Sequence, residues 1–143
     1  MVDIKSPEAR SYNMSKIRGK DTKPELVVRK FLFKNGFRYR IHNEKLPGKP
    51  DIVLQKYRTV IFVNGCFWHG HADCKYFKIP TTNKEFWVNK IAKTKEQDER
   101  NIEELKLSGY HVITIWECNL RSQDIRDKTL VDLAKVIISA EIS

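Results

Sequence analysis

Between Asn64 and Cys74 the chain reads Asn-Gly-Cys-Phe-Trp-His-Gly-His-Ala-Asp-Cys, which places two thiols, two imidazoles and two large aromatic rings within eleven residues. Cys66, His71 and Cys74 have the short separations that let one loop wrap a tetrahedral zinc ion. Cys118, remote in sequence but just after the apolar segment Tyr110–Trp116, is the fourth candidate ligand. The competing reading is three buried free thiols, and the spacing favours the metal. A zinc ion held by four protein ligands is closed and structural: it stiffens a loop without touching substrate. His69 is then surplus to the metal, and an imidazole can exchange a proton near neutral pH. Phe67 and Trp68 are bulky apolar groups in an otherwise polar loop.

A second chemistry is available to oxygen ligands. Pro50-Asp51 enters the apolar run Ile52-Val53-Leu54, and a second run, Thr59–Val63, ends beside the metal loop. An aspartate where two core strands meet, with the backbone carbonyl of Val63 nearby, can build a magnesium site, because magnesium takes few protein ligands, several waters and substrate phosphate. Such an ion activates water and offsets charge on a phosphodiester. The alternative is that Asp51 only caps the turn after Gly48-Lys49-Pro50, as turn aspartates commonly do.

The elements that must position these groups follow from periodicity. Thr22-Lys23-Pro24-Glu25 reads as a helix start, with Thr22 as N-cap, Pro in the first turn and Glu25 as the reciprocal partner of a capping box. Leu26, Val27, Phe31 and Leu32 mark that helix and Gly36 closes it. Phe37–Ile41 alternates like a half-buried strand, and Asp51–Leu54 and Thr59–Val63 form a strand pair around the polar turn Gln55–Arg58. Thr82-Asn83-Lys84-Glu85 reads as another capping box and opens a helix to about Ser108, with Trp87, Ile91, Ile102 and Leu105 on one face and a highly polar middle. Tyr110–Trp116 is a further strand. A last helix over roughly Lys128–Ala140 carries Leu130, Leu133, Ala134, Ile137 and Ile138. This order predicts an α/β fold: a central mixed β-sheet flanked by helices on both faces.

Length and charge narrow the function. At 143 residues the chain is one domain of ordinary size, with a basic N-terminal arm over residues 1–20 and a single domain over residues 21–143. No apolar run approaches ~20 residues, and the polar N-terminus lacks a secretory signal, so neither a membrane role nor export is expected. Three cysteines suit a reducing, cytoplasmic setting. The net charge of +9 is uneven: residues 1–49 hold thirteen Lys or Arg against five Asp or Glu, whereas the remainder is nearly balanced. Such an arm can grip a polyanion or can simply confer solubility; beside a metal-braced loop carrying aromatic wedges, nucleic acid is the better reading. No sheet-surface stacking motif of the single-strand RNA binders is present.

Taken together, Asn13-Met14, Leu46-Pro47-Gly48-Lys49-Pro50-Asp51, Gly65-Cys66-Phe67-Trp68-His69, Glu85-Phe86-Trp87 and Trp116-Glu117-Cys118 occur in an order and spacing that resembles the very short patch repair (Vsr) DNA mismatch endonucleases, a branch of the PD-(D/E)XK-like nucleases. The resemblance runs from about Ser11 to Arg121. It implies a restriction-endonuclease-like fold, a monomeric enzyme, and nicking 5′ to the thymine of a T·G mismatch in double-stranded DNA, with mismatch-repair proteins as candidate helpers. It implies that Asp51 and the Val63 carbonyl bind Mg2+, that His69 assists water attack and that Glu25 supports the site. Zn2+ is the structural ion. Phe67, Trp68 and Trp87 would insert beside the mismatch from the major groove, Met14 and Ile17 from the minor groove, and Lys90 would contact a base. Asn64 stands where the family carries a second histidine; it can hydrogen-bond a water or a phosphate but cannot titrate. Thr94 stands where the family carries an amide.

Overall fold

A computed structural model describes residues 22–142 of the chain. The basic arm, with Met14 and Ile17, lies outside the described residues. Helix α1 (Lys23–Lys34) starts as its sequence dictates: the Thr22 hydroxyl accepts the Glu25 N–H at 3.4 Å, and Pro24 sits in the first turn. At its end Gly36 adopts φ +86°, its N–H reaching the Phe33 carbonyl while the Phe37 N–H reaches Leu32. That bond pair uses the left-handed residue only glycine takes cheaply. The buried stripe of α1 is Glu25, Val28 and Leu32, spaced i, i+3, i+7; Leu26 is largely exposed. A glutamate therefore sits on the core-facing side of the first helix.

Four strands follow: β1 (Arg40–Ile41), β2 (Ile52–Leu54), β3 (Thr59–Asn64) and β4 (His111–Trp116), lying in the order β1-β2-β3-β4. The first two pairings are antiparallel and β3–β4 is parallel, so the sheet is mixed. A parallel pair needs a long crossover, which helix α2 (Lys84–Leu107) and the loop before it supply. Two expectations need correction. The strand anticipated over Phe37–Ile41 shrinks to two residues, because Phe37 is consumed in closing α1 and buried there. The Thr82 capping box does not form: Asn83 is the N-cap of α2, at φ +58°, with no side-chain cap bond.

Period-two alternation divides the sheet between two apolar layers. Ile52, Leu54, Ile61 and Ile115 pack with Val28 and Leu32 of α1 and with Leu130, Leu133 and Ile137 of helix α3 (Gln123–Ile142). Val53 and Val60 point the other way and meet Leu105 of α2. Helices thus cover both faces, and no helix among the described residues is long and apolar enough to cross a membrane.

Register gathers the chemistry at one end. Ile41 pairs Ile52, Ile52 pairs Ile61, and Asn64 pairs Trp116. His42, Asp51, Val63, Asn64 and Glu117 therefore all emerge at the same edge of the sheet, with the loop over residues 65–83 leaving from it.

The register of α3 can be tested with adjacent residues of one type. Ile137 is fully buried and Ile138 is 49 % exposed. Ile137→Ala is expected to lower unfolding free energy by ~2–5 kcal/mol in urea titration, and Ile138→Ala by less than ~1 kcal/mol. Similar losses at both positions would contradict the packing.

Candidate active site and metal cluster

The antiparallel start of β2 puts Asp51 beside two further polar side chains. The His42 N–H donates to the Asp51 carbonyl at 3.1 Å, continuing the β1–β2 ladder by one step. The His42 side chain then turns to α1, where Nε2 lies 2.6 Å from Glu25 Oε2. Arg29, one turn along α1, donates to the same oxygen at 3.0 Å. Glu25 is 1 % exposed, so this is a buried carboxylate held by charged and polar partners. Glu25, His42 and Asp51 each offer a ligand atom, all within 4.8 Å of one another, a group that could hold a metal ion.

Asp51 Oδ2 accepts the Val63 N–H at 2.7 Å. In an extended strand the N–H and C=O of one residue leave on the same side, so the Val63 carbonyl emerges toward Asp51 as well. Burial pushes the Asp51 carboxyl up to about 6; the Val63 bond opposes that rise, the Glu25 charge adds to it, and His42 and His69 oppose it. Two carboxylates forced together at a half-buried edge favour a divalent cation between them. Asp51 is thus more than a turn cap. Glu25, read as half of a capping box, has its carboxylate engaged by His42 and Arg29 while Thr22 still caps the helix.

The loop after β3 holds a second cluster. Cys66, His71, Cys74 and Cys118 bring three sulfurs and one ring nitrogen within 4.8 Å of one another, and none of the cysteines is in a disulfide. Cys118 Sγ and His71 Nδ1 are 3.5 Å apart. A tetrahedral ion with metal–sulfur bonds of about 2.3 Å and metal–nitrogen bonds of about 2.0 Å spaces such atoms by about 3.5 Å. Burial pushes the Cys66 thiol up to about 12 and raises Cys118 as well, whereas at Cys74 desolvation is outweighed by hydrogen bonds from the Tyr76 backbone and the neighbouring thiols, which lower it; a cation would favour ionising the raised pair beside it. The donor set and spacing fit a closed metal site. Trp116, at the end of β4, stacks on the His71 ring at 4.0 Å and 6°, fixing its plane.

His69 lies outside this cluster. Its Nδ1 is 2.7 Å from Asp98 Oδ2, halfway along α2, and both side chains are about 30 % exposed. The polar middle of α2 is therefore more than a solvated face, since it presents Asp98 to the loop. Asn64 and Asp98 line one crevice, about 10 Å³ in volume, with Phe62 and Thr114. Phe67, Trp68 and Trp87 meet edge to face, with ring centroids 5.1–5.8 Å apart, and Phe77 and Phe86 extend the group. The rings are half-buried in one another, except Phe86, which is 56 % exposed. Lys90 stands exposed on α2, about one turn beyond Trp87.

The structure brings together Asp51, Glu25 and Val63, and separately the four metal-binding candidates and the three aromatics. Sequence reasoning missed His42 and Asp98. His42 could have been found from the strand ends, since β1 and β2 run antiparallel and His42 must oppose Asp51. Asp98 gave no local signal; only the tertiary approach of loop and helix reveals it.

The family model for the DNA mismatch endonuclease Vsr matches residues 2–76. A type II nicking enzyme, V.NmeAIP of Neisseria meningitidis, is 49 % identical over 140 residues, covering 98 % of this chain and 99 % of its own length. The DNA mismatch endonuclease Vsr of Escherichia coli is 40 % identical over 142 residues, covering 99 % of this chain and 90 % of its own. The type II nicking enzyme V.XorIIP of Xanthomonas oryzae is 42 % identical over 120 residues, covering 84 % and 88 %.

The raised Asp51 carboxyl has a consequence for stability. Its folded value of about 6 exceeds the ordinary 3.8, so the stability linked to its proton is full below the ordinary value and is lost as pH rises through about 6. In magnesium-free buffer, Asp51→Asn should raise the melting temperature relative to wild type by an increment that grows from about pH 4 to about pH 6 and levels by about pH 7. A constant difference across that window would contradict the burial argument.

Proposed function

The chain belongs to the Vsr family of DNA mismatch endonucleases, and from that premise we propose that it nicks one strand of duplex DNA 5′ to the thymine of a T·G mismatch. This is the lesion left when 5-methylcytosine deaminates, and the nick starts very short patch repair. The observation that carries the reading is the shared loop: the Phe67–Trp68–Trp87 ring group adjoins the His69–Asp98 pair in sequence and space. A device that probes base stacking is thereby coupled to one that moves a proton.

Asp51 and the Val63 carbonyl would hold magnesium, with Glu25 supporting them from α1. When bound, the ion supplies charge stabilisation at the phosphate and a more acidic water. Asp98 accepts the Nδ1 proton of His69, which leaves Nε2 as the acceptor for the proton of the attacking water. Asn64, which lines the same crevice as Asp98, offers an amide to water or phosphate.

Recognition is mechanical. A wobble pair destacks more cheaply than a matched one, so rings wedged into the stack convert deformability into selectivity. Phe67, Trp68 and Trp87 enter from the major groove. Lys90 follows on the same helix to contact a base, and Met14 and Ile17 of the basic arm press from the minor groove. The Cys66/His71/Cys74/Cys118 site takes zinc and keeps the loop rigid against that load. The mixed sheet carrying an acidic metal site at one edge is of the restriction-endonuclease-like class.

The 49 % identity to a type II nicking enzyme favours a second reading, in which the same chemistry serves a restriction system and the sequence around the nick is set by that system.

End-labelled duplexes differing only in T·G or C·G at one position separate the outcomes. Nicking of the T·G duplex alone, dependent on magnesium and lost by a factor of about 10³ or more in Asp51→Ala, on the order of what a metal contributes to phosphoryl chemistry, is the expected result. Equal cutting of both duplexes would sink the mismatch assignment, and binding without cutting would leave only a DNA-binding module. Cys118→Ser should lower bound zinc from about one ion per chain and depress the melting temperature together. Full zinc occupancy in that variant would disprove the quartet.

A further inference from the structure

His42 has no part in the reading above, yet it touches both carboxylate residues of the site. Its main chain donates to the Asp51 carbonyl at 3.1 Å, and its ring nitrogen Nε2 sits 2.6 Å from Glu25 Oε2. The residue adopts φ +49°, a left-handed conformation uncommon outside glycine, which turns its side chain from the line of β1 toward α1. The ring is only 14 % exposed. The paired residues of β1 end at Ile41, and the His42 main chain adds one last bond to Asp51 before its side chain leaves the sheet.

We propose that His42 is a positioning residue for the catalytic metal, holding the Glu25 carboxylate in place beside Asp51. This role rests on the magnesium reading of Asp51. The permanently charged Arg29 guanidinium already donates a hydrogen bond to Glu25 Oε2, so that carboxylate oxygen is an acceptor and His42 Nε2 is the donor. Donors from two directions, one on α1 and one at the end of β1, fix the plane of a carboxylate that could otherwise rotate about its long side chain. The main-chain bond from the same residue to Asp51 ties the spacing of the two carboxylates to a single pivot. An ion that demands near-ideal octahedral geometry gains affinity from that preset spacing. Partners of this kind, one shell out from the ion, typically contribute about 10–100-fold to metal affinity or activity.

Two substitutions of similar polarity discriminate this role from simple packing. The amide nitrogen of glutamine falls near the place of a histidine Nε2, whereas the shorter asparagine stops near Nδ1 and cannot reach Glu25. Magnesium binding is measured by calorimetry on the zinc-loaded protein, and nicking of a T·G duplex is followed at increasing magnesium in single turnover. His42→Asn is expected to weaken magnesium binding about 10–100-fold and to raise the half-saturating magnesium concentration equally. Its rate at saturating metal should stay within about threefold of wild type, and His42→Gln should recover most of the lost affinity. Equal magnesium affinity in wild type and His42→Asn would overturn the proposal, as would equal losses in the asparagine and glutamine variants. A fall in saturating rate with the metal midpoint unmoved would do the same. Asp51→Asn is the control for the premise: undiminished magnesium binding there would remove the metal reading, and with it this one.

Discussion

The constraint on which the molecule turns is the repulsion between two carboxylates at a half-buried sheet edge. Asp51 enters β2 and Glu25 lies on the core-facing stripe of α1, so the packing that buries Val28 and Leu32 also buries Glu25. Removing a carboxylate from water is costly, and placing a second beside it adds to the cost. The surrounding polar groups are arranged to offset that: Arg29 and His42 on Glu25, the Val63 N–H on Asp51. The offset is partial, since burial still holds the Asp51 carboxyl near 6. Glu25, His42 and Asp51 lie close enough together that a divalent cation could supply the remainder.

The sheet register makes the arrangement possible. Antiparallel β1–β2 and β2–β3 pairings bring His42, Asp51 and Val63 to one edge, and the parallel β3–β4 pairing brings Trp116 and Cys118 to the same edge. Parallel pairing obliges a crossover, and here the crossover also carries candidate site residues. Its loop carries the cysteine and histidine ligands, and its helix carries Trp87 and Asp98. Trp116 contributes a flat surface on which His71 is stacked, so the last strand fixes a ligand from the loop. Loop, helix and strand end thus depend on one another for their geometry.

How much of this was legible depended on whether the information was local. The helix start at Thr22, the glycine stop at Gly36, and the runs Asp51–Leu54 and Thr59–Val63 are short-range properties and are readable, the strands themselves being Ile52–Leu54 and Thr59–Asn64. The four metal-binding candidates were readable because donors of that kind at that spacing have few other uses. The strand over Phe37–Ile41 misled, because its alternation is real but Phe37 is claimed by the helix closure before it. The capping box at Thr82 misled because a short sequence pattern is weak against the conformation imposed by the incoming loop, which places Asn83 at positive φ. Ile138 belonged to an apolar run yet faces solvent, since α3 buries a narrower stripe than its composition suggests. Asp98 is unreadable for a different reason, since it has a meaning only through a residue on another element, whereas His42 needs only the antiparallel register of β1 and β2 to be placed opposite Asp51.

That difference separates the two imidazoles of the site. His69 announces itself through its company, in a loop dense with ligands and aromatics, and its partner Asp98 sits twenty-nine positions away on a helix that looked merely solvated. His42 has undistinguished neighbours and is identified only by its bonds to Asp51 and Glu25. Both rings engage a carboxylate, but to opposite ends. Asp98 leaves His69 Nε2 available to exchange a proton, whereas Glu25 engages the Nε2 of His42. On the proposed reading, one imidazole carries a proton and the other holds the site in shape. The same pairing of histidine with carboxylate would then serve as a proton carrier or as a brace according to which ring nitrogen is bound.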